Sequence, residues 1–498
     1  MITEAEANNL QQENRRLATE NKLLREKIDL LVKKVFGKKS EKLDLDQLLL
    51  LEEDPSKKAE ASGESETPAE AKTTHKKKRR SDRLRLPEHL PTEEIILEPQ
   101  IVQEHPQDWR LMGEERSEQL DYQPGKFLKR VVIRRKYVKK DHPYQPPVIA
   151  ALPEHLQRRA TATARLMAHV VVEKYGHHQP LYRQQQTAWS QHQLWLPRQT
   201  LSDWILLVAD WLTPIYQQMH RELIEQSPVL AMDETPVRYL EPGKGQAPRG
   251  YFWVYGNKTH DLLYTWYPSR SADCIENILP VDFKGVLQCD AYQAYKSFSN
   301  RRRNIVLAGC WAHARRHFQQ ASENNRSIKW VLYQIGLLYQ IEKQLHRQRA
   351  GPQLKASIRC SQSRMITHRL YRVLLHWKTR KKFLPKSNAG KAIDYALTNW
   401  PQLSVFLNDG RVSIDNNDVE NAIRPSALGK KNWLFIGDKE AGQRSAIIYT
   451  LIEACRRRSI DPYAYLVDVL QKLPNSSNRD IPHLTPKAWT QPLHRLAA

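Results

Sequence analysis

DNNDVENAIRPSALGKKNWLFIG, residues Asp415–Gly437, is the stretch on which the reading of this chain turns. Cap-forming Asp and Asn open it and a short helix follows, with Val419 and Ile423 on one side and Glu420 and Arg424 four apart on another. Pro425 is expected to stop the helix. A basic Gly-Lys-Lys turn comes next, then an apolar strand-like run, WLFIG, Trp433–Gly437. Alone, the stretch is a capped amphipathic helix with one surface ion pair. It gains weight from two carboxylates far upstream, Asp233 and Asp290, each tied to an apolar strand-like run where a charge is costly.

Those runs predict a sheet. Val229–Leu240, Gly250–Asn257 and Leu262–Tyr267 read as three strands separated by turn signals. Ser271–Leu279 reads as a helix, Val286–Cys289 as a fourth strand leading into Asp290, and Tyr292–Asn300 as a short helix. Ile305–Ala308 is a fifth strand, entering a basic helix, Cys310–Phe318. The expected order is a mixed α/β core, its first part 227–322 and its second part 406–458. A helical insertion, 323–405, interrupts it and a C-terminal region, 459–498, follows, so the fold class is multidomain.

Asp in the first strand, Asp after the fourth and Glu on a later helix are hard oxygen donors suited to Mg²⁺ or Mn²⁺. Two such ions about 4 Å apart activate an attacking oxygen and stabilise the leaving oxygen of a phosphodiester. Asp233, Asp290 and Glu420 are therefore the candidate catalytic and metal residues. Glu234 points the other way from a strand and is assigned a structural place. Arg424 is a candidate to hold Glu420, and Arg424, Lys430 and Lys431 are candidates to meet phosphate. Trp311, His313 and Arg315 either approach the site or DNA, or are a packed Trp and solvated cations. Asn416 and Asn417 either cap the helix or touch DNA.

Toward the N-terminus, Leu10, Leu17, Leu24 and Leu31 recur every seven residues, with Asn14, Asn21, Ile28 and Val35 between them. This a/d pattern predicts a self-associating leucine zipper within 1–50, and hence a homodimer or larger assembly. Residues 51–91 read as a disordered linker ending in the basic run His75–Arg80 and in prolines. A small β-rich module, 92–150, includes FLKRVVIRRKYVKK, Phe127–Lys140, with one face expected to pack and the other to meet DNA. Residues 151–226 read as helices. Leu181–His192 and a second helix starting near Gln199 either pack simply or form a helix-turn-helix, with Arg198, Gln199 and Ser202 where base edges would be met.

A formal net charge of +23 over 498 residues points to a polyanionic partner, with double-stranded DNA the first candidate. No apolar run approaches the roughly 20 residues of a membrane span, and no signal peptide opens the chain. Five scattered cysteines fit a reducing cytoplasm, and no C-x-x-C occurs, so no structural zinc site of paired cysteines is expected.

The motifs AMDETPVRYL, LQCDAYQAY, CWAHARRHF and DNNDVENAIRP…GKKNWLF resemble those of the insertion-sequence-66 family of bacterial DDE transposases, large-subunit type. The resemblance extends to FGKKSEKLD, GEERSEQLDY, HHQPLYRQ and DPYAYLVDVL, nearly the whole chain. It implies a ribonuclease H-like core with Asp233, Asp290 and Glu420 as metal-binding triad. It also implies binding to the terminal inverted repeats of an element, accessory proteins encoded by that element, and a two-step course. Water first cuts to leave a 3′-hydroxyl, which then attacks target DNA without a covalent protein intermediate. One departure stands out: the family's cysteine-rich zinc module has no cysteine here, around His105–Asp108 and Tyr137–His142. Two histidines do not make a four-ligand site, so that module is expected to fold without metal. A ribonuclease H-like nuclease without strand transfer and a non-catalytic DNA-binding factor are the alternative classes.

Overall fold

The computed structural model describes residues 92–490 except 124, 142–143, 153–155, 158–159, 242, 244, 258–260 and 323–324. It also describes 12–13, 17–18, 20–21, 24, 86 and 90. The described zipper positions are helical, and Leu17 and Leu24 are exposed. The rest of the zipper, the linker apart from Leu86 and Leu90, its His75–Arg80 run included, and His142 lie outside the described residues. The chain forms two compact units: residues 84–309 and 415–498 belong to one, and 310–414 to the other. Together they make a mixed α/β, multidomain protein.

The first unit begins with a sheet of β1 (Thr92–Leu97), β2 (Trp109–Gln123), β3 (Lys126–Lys139) and β4 (Val148–Ile149). β2 and β3 form a long hairpin whose turn needs Gly125 at φ +86°. β1 runs parallel to β3 and β4 antiparallel to it. β3, whose basic face is expected to meet DNA, has acidic partners for several of those side chains. Register sets Glu115 opposite Arg134 and Glu114 opposite Arg135. Arg134 Nη2 donates to Glu115 at 2.6 Å, Lys136 reaches the same carboxylate at 2.7 Å, and Arg135 bonds Glu98 at 3.1 Å. Arg130 meets the fully buried Asp121 at 2.9 Å. Acidic side chains beside β3 thus pair with Arg130, Arg134, Arg135 and Lys136. Replacing Arg134 and Arg135 together by Ala should thus shift the slope of log K against log salt for DNA binding by less than about 0.5. A slope shallower by about 2 would show that both meet phosphate.

Three helices follow: α1 (Ala164–Val171), α2 (Leu181–His192) and α3 (Arg198–Gln226). Leu201, Trp204, Ile205 and Val208 are buried on α3, as the apolar spacing predicts. The stripe continues through Leu212, Ile215 and Met219, which makes α3 a 29-residue helix. The α2–α3 connection passes through Gln193 at φ +51°. Arg198, Gln199 and Ser202 are exposed at the start of α3.

The central sheet holds β5 (Val229–Arg238), β6 (Arg249–Gly256), β7 (Leu262–Tyr267), β8 (Gly285–Gln288) and β9 (Ile305–Ala308). Their order is β7-β6-β5-β8-β9; β5, β6 and β7 are antiparallel neighbours, whereas β5, β8 and β9 are parallel. The helices α4 (Ala272–Ile278) and α5 (Gln293–Arg301) supply the crossovers that parallel pairing requires.

The second unit is helical among its described residues 310–414: α6 (Trp311–Gln320), α7 (Arg326–Arg347), α8 (Pro352–Ile358), α9 (Arg364–Thr379) and α10 (Asn388–Thr398). Trp311 is core here, fully buried and donating its indole N–H to the Leu403 carbonyl at 2.8 Å. Arg359, only 2% exposed, pairs with both oxygens of Glu342 at 2.7 and 2.6 Å. Its Nη1 also donates to the carbonyls of Phe406, Asp409 and Val412 at 2.9–3.1 Å.

The first unit resumes with α11 (Asn417–Trp433), α12 (Lys439–Arg457) and α13 (Pro462–Lys472). Two local expectations fail here. α11 runs eight residues beyond Pro425, and WLFIG forms no strand beyond a single bridge, Arg238 to Phe435. Pro425 opens the helical ladder, but Tyr264 Oη donates to the nearby Ala422 carbonyl, so packing sustains the helix. Gly429 marks close packing instead of a turn: a Cβ there would lie 2.3 Å from the Trp433 ring and 2.8 Å from Tyr449 Oη. The chain leaves the helix through Leu434 at φ +62°. Among the described residues no helix is long and apolar enough to cross a membrane.

Candidate active site

Register alone brings two of the three acids together. The last parallel pair between β5 and β8 is Ala231 with Gln288. Asp233 and Asp290 each stand two residues further on, at the C-terminal end of the β5–β8 pairing, where the strands part. Asp233 remains in β5 because β6 continues to pair there, Asp233 opposite Val254. Asp290 sits in the loop entering α5, and its Oδ1 accepts the Tyr292 N–H at 2.9 Å.

Glu420 comes from the first turn of α11, which packs on β5 and β6. Asn416, 1% exposed, precedes the helix and donates from Nδ2 to the Met232 carbonyl at 3.0 Å. The carbonyl beside Asp233 thus anchors the start of the helix that carries Glu420. Toward the other end, Lys430 Nζ donates to the Pro236 carbonyl at 3.0 Å and Thr235 Oγ1 at 3.3 Å. Lys430, a candidate to meet phosphate, ties α11 to β5 through these bonds, and burial, then the Lys431 charge, lowers its pKa. Arg424 and Lys431 are exposed on the same helix. Asn417 turns back to Asp415 Oδ2 at 2.8 Å.

Electrostatics ties the acids together. The Asp233 carboxyl is pushed well above the ordinary range, first by burial, next by the Glu234 charge, then by Glu420 and Asp290. The Glu234 backbone N–H, donating to Asp233 Oδ1 at 2.8 Å, offsets this in part. Carboxylates that raise one another's pKa in this way are hard oxygen donors, and a divalent cation would relieve their repulsion.

Glu234 itself is committed elsewhere. Its side chain is fully buried, pairs with Arg270, and accepts the Tyr295 hydroxyl at 2.6 Å. Burial raises its pKa, while Tyr295 and Arg270 oppose the rise. Arg270 extends to Asp290 at 3.8 Å and lies 3.7 Å above the Tyr292 ring. The buried Glu234 anion thereby fixes the cation that flanks Asp290. Nothing in its local run marks Arg270, a lone basic residue after β7. Tyr295 and Asn416 lay inside quoted motifs, yet only tertiary packing reveals what they bond. In the helical unit, His313 and Arg315 are half-buried on α6.

The family described as "Transposase IS66 family" has a sequence model that matches residues 159–444, which include all three acids. The chain belongs to the IS66 transposase family. Models for "Transposase C of IS166 homeodomain" and "IS66 C-terminal element" match residues 23–95 and 450–486 of this IS66-family chain. Its curated relatives include three uncharacterized proteins of Sinorhizobium fredii (strain NBRC 101917 / NGR234). y4qI is 32% identical over 77% of this chain and 73% of its own length. y4jD is 32% identical over 81% of each, and y4hP is 27% identical over 93% of this chain and 88% of its own length. IS66 membership supports a transposase role.

Proposed function

We propose that this chain is a DDE-type DNA transposase with a ribonuclease H-like core. It binds the terminal inverted repeats of an insertion sequence, cleaves their 3′ ends and transfers the strands to target DNA. One observation carries the reading: Asp233 in central strand β5 and Asp290 after β8 stand two residues past the same parallel pair, and Asn416 anchors the Glu420 helix to the Met232 carbonyl beside Asp233.

Asp233, Asp290 and Glu420 would hold Mg²⁺ or Mn²⁺ through carboxylate oxygens, and Glu234, engaged by Arg270 and Tyr295, would not. Bound there, a divalent cation supplies Lewis acidity at the scissile phosphate and makes an attacking oxygen more acidic. Arg270 steadies Asp290, while Asn416 and Lys430 hold the Glu420 helix against β5. Preorganised ligands of this kind favour catalysis because nothing has to reorganise during reaction.

Exposed Arg198, Gln199, Ser202, Arg424 and Lys431 are the proposed DNA contacts, with Arg315 from the helical unit. The zipper of residues 1–50 would pair two chains so that two element ends are held at once, raising the effective concentration of each for the other. Element-encoded accessory proteins would join this assembly, and the cysteine-free module, 92–150, would need no zinc.

A test supplies the full chain with pre-cleaved element ends, a target plasmid and Mg²⁺ or Mn²⁺. The reading expects covalent joining of 3′ ends to target. Hydrolysis without joining would make the protein a nuclease of the same chemistry, and binding without either would make it a non-catalytic DNA factor.

A further inference from the structure

The surface of α2 and the turn after it carries an aromatic strip that the proposed catalysis does not use. Tyr182, Trp189 and Trp195 are 52%, 54% and 53% exposed, unusual for side chains of this size. Tyr182 and Trp189 are seven residues apart on one helix face, and between them Gln186 donates to Tyr182 Oη at 2.6 Å. Trp195 sets its ring edge-to-face with Trp189, centroids 6.1 Å apart at 87°. Arg198 lies 5.7 Å from the Tyr182 ring centroid, and Arg183 is exposed beside it.

Charge selects the occupant. No Asp or Glu occurs between Glu173 and Asp203, so the strip is flanked by arginines and amides without a carboxylate in its own segment. Aromatic faces interleaved with cations fit nucleobases on a phosphate backbone. A duplex hides its base faces in the stack, whereas an unpaired base presents them. The edge-to-face contact also limits the motion of both indoles before binding, which lowers the ordering cost.

We infer that Tyr182, Trp189 and Trp195 form a stacking platform for unpaired DNA bases, with Arg183 and Arg198 on the adjoining phosphates. The inference rests on the transposase reading, because a cut at an element end, once the flanking strand separates, exposes unpaired nucleotides there.

The test uses the full-length chain and two probes: an element-end duplex with a short single-stranded overhang containing 2-aminopurine, and the same duplex blunt. The platform predicts quenching of 2-aminopurine emission on binding and about tenfold tighter binding of the overhang form. Trp189→Ala/Trp195→Ala should remove the quench and the preference while changing blunt-duplex affinity less than about twofold. Trp189→Phe/Trp195→Phe should retain both. Equal affinity for the two probes with unchanged emission in the unsubstituted chain overturns the inference, as does a double-Ala chain that keeps the preference. A lower sedimentation coefficient in the double-Ala chain would make the strip a contact between copies and also overturn it. An Asp290→Asn chain run in parallel should keep the overhang preference. Preference without cleavage in the unsubstituted chain would sink the transposase reading alone, and cleavage without preference would sink the platform alone.

Discussion

Asp290→Asn should lower both end cleavage and strand transfer by roughly a thousandfold while the protein melts within a few degrees of the unsubstituted chain. The side chain is 22% exposed and the replacement has its shape. Asn can still accept the Tyr292 N–H that now bonds Oδ1 at 2.9 Å. What it cannot supply is an anionic oxygen beside Asp233 and Glu420. Glu234→Gln is the informative contrast. It retains an acceptor for Tyr295 but leaves Arg270 without its buried anion, so stability should fall first. Its activity should drop less than that of Asp290→Asn. Equal activity in Asp290→Asn and the unsubstituted chain would remove the acid from the chemistry.

Arg359→Met should cost about 3–5 kcal/mol, enough to unfold the helical unit at temperatures where the rest of the chain still gives native-like circular dichroism. The buried guanidinium satisfies Glu342 and three carbonyls, of Phe406, Asp409 and Val412. Met offers similar length and none of the donors, so one carboxylate and three carbonyls lose their partners. Because these carbonyls belong to the segment that ends the unit at Ile414, the expected readout includes early proteolysis between Phe406 and Val412. A loss below about 1 kcal/mol would mean that water replaces the guanidinium without penalty.

How much could be read from the residues alone follows from where the deciding interactions lie. Leu262–Tyr267 and Ile305–Ala308 fold as strands over the bounds their apolar runs suggest, and Leu181–His192 as the helix its spacing suggests. Such elements are set by neighbours in sequence. Pro425 and Gly429 misled because the forces that keep α11 intact come from Tyr264 and Tyr449, distant in sequence. The ion pairs of the basic strand were hidden for a related reason. GEERSEQLDY and FLKRVVIRRK are complementary halves of one hairpin around Gly125, and reading them together would have paired Glu115 with Arg134.

The candidate site divides in the same way. Asp233 and Asp290 stood out as candidates because a carboxylate in or just after an apolar strand is costly, and Glu420 was drawn in by its motif. That Glu234 faces away from Asp233 followed from strand alternation, and its full burial against Arg270 and Tyr295 agrees. Arg270 and Asn416 were not legible as supports, since neither residue type is unusual in its local run. Lys430 was assigned to DNA by its charge, whereas its bonds to Pro236 and Thr235 depend on how α11 crosses β5.

The most direct test of the central claim is Mn²⁺ binding to the full-length chain, followed by calorimetry or electron paramagnetic resonance. The shared acidic pocket predicts that Asp233→Asn, Asp290→Asn and Glu420→Gln each weaken the same class of site by about tenfold or more, and that Glu234→Gln does so far less. Affinity and stoichiometry unchanged in all three would contradict a common cation site, and with it the account of Asp233, Asp290 and Glu420 as one centre.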